Sequence, residues 1–163
     1  MRKEKDSLGE KDIEDVYYGI HTARALENFN IKNKRVNEEL IKAIALIKIA
    51  AAEANKKAGK LDENIANAIK EAANDLIVGN YIDAFMLPSI QGGAGTSTNM
   101  CINEVIANIA LEKMGQSKGD YHIINPLDHV NHSQSTNDVY PTAVKIASIK
   151  LLRELLDETM ALQ

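Results

Sequence analysis

Residues 36–58 read VNEELIKAIALIKIAAAEANKKA, and this stretch decides the fold class. Leu40, Ile44, Ile47 and Ala51 recur at spacings of four, three and four, the period that gathers side chains onto one face of an α-helix. Gly59 is a natural stop, because only glycine enters the left-handed cap conformation without steric cost. A second run repeats the pattern. Asp62 can cap it, Ile65, Ala68, Ile69, Ala72 and Leu76 form a buried stripe, and Gly79 ends it. The spacing therefore predicts helices over 36–58 and 62–78, folded back on each other as an antiparallel hairpin. Residues 2–20 are short and mixed, with turn signals at Gly9 and Gly19, and suit one or two short strands. The expected class is mainly α, with a short β element near the N-terminus.

Composition narrows the function. With 163 residues, 45% apolar and 26% charged, the chain is long enough for one soluble core that hides about 70% of its unfolded surface. Trp is absent and aromatics are only 4%, so aliphatic and alanine-rich helix packing must supply that core. A formal charge of −4 leaves no basic footprint for nucleic acid. The longest apolar stretch is broken by Lys42 and Lys48, so no membrane span is expected. A single cysteine, Cys101, rules out an intrachain disulfide, and the charged opening MRKEKD lacks a secretory signal's apolar core. A reduced, cytoplasmic setting is expected. His21, His122, His129 and His132 do not show metal-ligand spacing on a helix. His21 is expected to pack or hydrogen-bond, His129 to bond within its loop, and the other two to lie at the surface.

Two loops interrupt the helical pattern. The first is Gln91-Gly92-Gly93-Ala94-Gly95-Thr96-Ser97-Thr98-Asn99, and the second runs from Asn131 to Asp138. Each combines small residues and hydroxyls ahead of an apolar helix, where backbone N–H groups lack intrahelical partners and the helix dipole is positive. Such ends bind carboxylate or phosphate without Lys or Arg. No Lys follows the glycines, so the first loop is not a phosphate-binding Walker loop. On residues alone, ligand binding and plain helix capping both remain open. Pro141 suits a first helical position, and Asp138 reads as a cap. Asn99 and Asn131 read as loop supports, and Cys101 as a buried structural residue. The last helix carries Val144, Ala147, Leu151 and Leu155 as a stripe widened by Leu152 and Leu156. It reads as the start of a longer helix.

Taken together, three segments resemble the bacterial aspartases of the aspartase/fumarase superfamily. They are Tyr17-Tyr18-Gly19-Ile20-His21-Thr22 with Glu27-Asn28-Phe29, then Gly92 to Met100 with Asn103-Glu104-Val105, then Gln134 to Ala143. Their order and spacing match the family along essentially the whole chain. Ala94 and Thr136 stand where fumarases carry serine, which favours the aspartase branch. Two positions depart from the pattern. Cys101 replaces a small polar residue, and Leu127 replaces an Asn, which counts against a secondary anion site in that segment.

The resemblance implies an N-terminal lyase domain over 1–138 and, over 139–163, the first part of a long central-bundle helix. It implies elimination of ammonia from L-aspartate to give fumarate, with no cofactor, in a homotetramer; some members of the family respond to divalent cations, but no residues here identify a metal site. By matching motif positions, Thr96, Ser135 and Thr136 would bind the β-carboxylate of the dicarboxylate substrate, and Asn137 its amino group. The family's catalytic base, a serine on a downstream loop, has no counterpart among these residues, so the chain by itself is expected to be inactive. The competing readings are a segment of a class II fumarase and a non-catalytic helical interaction module.

Overall fold

A computed structural model describes residues 1–31 and 34–162. Strands β1 (Arg2–Asp6) and β2 (Gly9–Ile13) form an antiparallel ribbon, Arg2 pairing with Ile13 and Asp6 with Gly9. Five α-helices follow among the described residues: α1 (Ile20–Asn28), α2 (Glu38–Lys57), α3 (Glu63–Ile77), α4 (Thr96–Lys113) and α5 (Thr136–Leu162). The mainly α class with a short N-terminal β element is what the sequence led us to expect. Helix α1 was not foreseen.

Helices α2 and α3 pack as the expected pair. Asp62 caps α3, accepting from the N–H groups of Asn64 and Ile65 at 2.8 and 3.3 Å. Asn37 caps α2 by accepting from Glu39 N at 2.9 Å. Lys70 of α3 reaches Glu53 of α2 at 2.7 Å, and Lys56 of α2 lies 3.8 Å from Glu63 of α3, tying the two helices together along their rim. The buried face of α2 differs from the expected one. It consists of Ile41, Ala43, Ile44, Ala45, Lys48, Ala52 and Asn55, about one position further round than the stripe drawn through Leu40, Ile47 and Ala51. Lys48 lies on the buried face and is fully enclosed.

Helix α4 is the axis of the fold and touches α1, α2, α3 and α5. Every residue from Cys101 to Leu111 is buried, the pattern of a helix enclosed on all sides. Several of its polar residues are matched inside the core, although Asn99 Oδ1 and Asn103 Oδ1 have no hydrogen-bond partner among the described residues. Asn108 donates to Tyr17 O at 2.8 Å and to the Tyr121 hydroxyl at 3.0 Å, and its own oxygen accepts from Gly119 N at 2.8 Å. Cys101, only 1% exposed, is a structural residue as expected, and burial pushes its thiol up to about 12.

The opening motif now has a physical reason. The first N–H groups of α1 need acceptors, and two buried carboxylates supply them. Glu104 accepts from Gly19 N, His21 N and Thr22 N at 2.9, 2.8 and 3.1 Å and from the Thr22 hydroxyl at 2.5 Å. Glu4 accepts from Ile20 N at 2.7 Å. A Cβ at position 19 would lie 2.8 Å from an oxygen of each glutamate and 2.7 Å from the Tyr121 hydroxyl. Only glycine lets all three polar groups converge there.

Two readings at the last helix need correction. Pro141 is not at a first helical position, because α5 starts five residues earlier at Thr136 and carries Pro141 inside it. Ser135 makes the earlier start workable by accepting from Asn137 N at 3.2 Å. Pro141 offers no N–H to the Asn137 carbonyl one turn back, a cost that is smallest near a helix end. Ser135 thus takes the capping role foreseen for Asp138, which falls in the first turn. Of the expected α5 stripe, Ala147 is buried while Leu151 and Leu155 are 41% and 61% exposed. Gln163, which ends the expected second domain, lies outside the described residues.

Candidate functional site

Both loops end in helix N-termini, and the fold brings those termini together. Helix α4 begins at Thr96, so Thr96 to Asn99 form its first turn rather than part of the loop. Gln91 secures that turn. Its Oε1 accepts from both Thr98 N and the Thr98 hydroxyl, at 3.1 and 3.0 Å. Gln134 and Asn131 secure the other loop. Gln134 Nε2 donates to Val130 O and His132 O at 3.0 and 3.1 Å, and Asn131 Nδ2 donates to Gln134 O at 3.1 Å. The join between the loops is Asn99 Nδ2, 3.0 Å from Thr136 Oγ1.

Gly95 and Tyr140 form a second join. Gly95 has φ +87°, and a Cβ there would lie 2.3 Å from Cδ2 of the Tyr140 ring. Gly95→Ala should therefore combine left-handed strain with a clash against a ring that cannot move aside freely. We expect a loss of about 3 kcal/mol, read as a lower urea midpoint with an unchanged slope. A loss below about 0.5 kcal/mol would show that the ring does not pack on this glycine.

The four predicted site residues do not all face one hollow. Asn137 lines a cleft of about 410 Å³ with Ala94, Gly95, Tyr140 and Pro141. Thr96 lines a larger one of about 900 Å³, on the other side of the glycine loop, with Gly92, Gly93, His21 and Arg24. Thr136 stands at the junction against Asn99, and Ser135 is exposed beside it. In this structure the Thr96 hydroxyl donates to Gly93 O at 2.6 Å. It must turn from that carbonyl to reach a ligand. The Ser135 oxygen accepts from Asn137 N, which leaves its proton available to donate.

The walls of the larger cleft carry charge. Arg24 grips Asp6 with two contacts, Nε to Oδ2 at 2.7 Å and Nη2 to Oδ1 at 2.9 Å. That grip holds the Asp6 carboxyl below the usual carboxylate range. His21 Nδ1 is buried without a hydrogen-bond partner among the described residues, and burial pulls the ring below its ordinary value, towards the neutral form. Its expected packing role holds, but only its backbone N–H bonds, to Glu104. His129 is the loop bonder expected, accepting at Nδ1 from Asn125 N at 2.8 Å. His122 is exposed, whereas His132 is only partly so and sets Nδ1 2.9 Å from Asp128 O.

Beneath both loops lies a residue that the sequence reading passed over. Lys48 Nζ donates to Asn131 Oδ1 and to Gln134 Oε1, both at 2.9 Å. Burial pulls its amine down to about 7, with no carboxylate among the described residues holding it up. The signal was present in the sequence. Ile41, Ala45, Lys48, Ala52 and Asn55 share helical spacing, which places a lysine on the inner face.

A family model described as Lyase matches residues 10–163. The chain belongs to the lyase family. Within that family it is similar to the aspartate ammonia-lyase of Bacillus subtilis (strain 168), with 56% identity over 156 residues, 95% of this chain and 33% of that protein. The aspartate ammonia-lyase of Helicobacter pylori (strain J99) is 52% identical over 166 residues, which cover all of this chain and 36% of that one. The chain thus spans about a third of the length of the curated lyases it matches. Among solved structures, fumarate lyase:delta crystallin from Brucella melitensis in native form superposes with a TM-score of 0.89 at 52% identity, over 91% of this chain and 34% of that one. Recombinant class II fumarase from Schistosoma mansoni gives 0.85 at 36% identity, over 90% and 31%. No helix among the described residues is long and apolar enough to cross a membrane.

Proposed function

We propose that a full-length lyase carrying this chain eliminates ammonia from L-aspartate to give fumarate, and that this chain supplies donors for the substrate's β-carboxylate. Removing a proton from C3 drives a second negative charge onto that carboxylate. Stabilising it calls for donors fixed in advance and aimed at the oxygens. Two helix N-termini meeting at Asn99 and Thr136 are such a source, since each end carries positive dipole character and the hydroxyls of Thr96, Ser135 and Thr136 stand beside it. The observation that carries the reading is this 3.0 Å contact between the first turns of α4 and α5, within a chain about half identical to aspartate ammonia-lyases.

In this reading Ser135 and Thr136 donate to the carboxylate, Thr96 joins them after turning from Gly93 O, and Asn137 faces the amino group. The complete enzyme would be a cytoplasmic homotetramer. The second domain would begin at Val139, and the leucines exposed on α5 would enter a helical bundle. The base that takes the C3 proton would come from outside residues 1–163. The test is an assay of the full-length lyase on both reactions. Ammonia and fumarate should form in equal amounts from L-aspartate. Hydration of fumarate with no ammonia formed from aspartate would overturn the proposal in favour of a fumarase.

A further inference from the structure

The direction of every hydrogen bond beneath the loops can be deduced from Lys48. As an ammonium Lys48 can only donate, and as a free amine it meets the same two oxygens because both amide nitrogens are turned to main-chain carbonyls, so Asn131 Oδ1 and Gln134 Oε1 are fixed as acceptors. Asn99, wholly buried, lies 3.1 Å from Asn131 Oδ1 and must present its Nδ2 there. The same Nδ2 is 3.0 Å from Thr136 Oγ1. A carboxamide nitrogen only donates, so the Thr136 oxygen accepts, and the hydroxyl proton must leave in another direction.

We infer that Asn99 is a positioning residue: held through Asn131 on Lys48, its carboxamide occupies the acceptor side of the Thr136 hydroxyl and turns that proton out to the loop face, towards the substrate carboxylate. The inference rests on the lyase reading above and adds to it a fixed polarity. One enclosed amine sets the orientation of two amides, these set a third, and the third sets a hydroxyl. The hydroxyl then needs no reorientation as charge grows on the carboxylate, which is where a preoriented donor gains most.

The test is a double-mutant cycle in the full-length lyase. Asn99→Asp keeps shape but replaces the donor with an acceptor, so the Thr136 proton should turn inward. We expect kcat to fall about a hundredfold with KM changed only a few-fold, the signature of a lost transition-state interaction. In a Thr136→Val background, which has no hydroxyl to orient, the same substitution should cost less than about fivefold. An equal loss in both backgrounds would overturn the inference, because a merely structural asparagine acts regardless of Thr136. So would a loss confined to KM. Asn99→Ala and Lys48→Met are read in the same cycle should the aspartate variant not fold. Asn99→Ala leaves the hydroxyl free to rotate, and a loss of about tenfold that vanishes with Thr136→Val is expected. If the unmodified enzyme hydrates fumarate instead of releasing ammonia, the proposed function fails first. The cycle is then run on hydration, where the Asn99 result stands or falls by itself.

Discussion

Glu104→Ala should lower the unfolding free energy of the chain by about 4 kcal/mol. Three backbone N–H groups and one hydroxyl converge on this carboxylate, and the residue is 2% exposed. Truncation would leave those donors buried without an acceptor, and each orphan costs about 1–3 kcal/mol before the site relaxes. Burial lifts the Glu104 carboxyl above its usual range, while the Thr22 hydroxyl and the three N–H groups pull it back. The site therefore holds a strained but well-partnered acid. Glu104→Gln retains an acceptor oxygen but points an amide nitrogen at the cluster, and about half the loss is expected. Urea unfolding at neutral pH separates the two variants. A loss for Glu104→Ala under about 1 kcal/mol would mean that the start of α1 does not depend on this acid.

Lys48→Met should change stability with a sign that depends on pH. In the folded chain Lys48 gives up its proton near 7, whereas an unfolded lysine keeps it to about 10.4. Between those values the unfolded state binds more protons, so the stability of the unmodified chain climbs with rising pH. Below the folded value the full cost of burying the charge is present. Above the unfolded value it is gone. The span corresponds to roughly 5 kcal/mol. Methionine carries no such cost but leaves Gln134 Oε1 without its lysine donor, a loss of about 1–3 kcal/mol at any pH. At pH 6.5 the variant should thus be the more stable form, and near pH 10.5 the order should reverse. Urea midpoints at the two pH values decide it, and parallel pH profiles for the two proteins would contradict the buried titration.

Much of this was legible in the residues, and the failures have physical causes. Asp62 and Gly79 bracket α3 as read, because capping and stopping are local chemistry. The glycine–hydroxyl loops were located for the same reason. Lys48 was missed because a charged side chain normally marks the solvated face, and the acceptors of this one, Asn131 and Gln134, lie in a turn distant in sequence. Pro141 misled because its preference for helix starts is a tendency that Ser135, by capping six residues earlier, overrides. The separation of Thr96 from Asn137 into two clefts could not be read at all. It follows from the backbone of the glycine loop passing between them, with Tyr140 packed on Gly95.

The contrast between α4 and α5 fixes where this chain can open. Opening α4 exposes an unbroken run of core from Cys101 to Leu111 and therefore amounts to unfolding the whole chain. In α5 the buried residues are Val139, Ala143 and Ala147. Past Ala147, Lys150 still reaches Glu39 of α2 at 2.6 Å; the turns after it rest on their own backbone bonds, at 1.5 Å of rise per residue, and can fray independently of the rest. Fluctuations in the far half of α5 therefore leave the Asn99–Thr136 junction intact, and loss of the junction requires loss of the core beneath it.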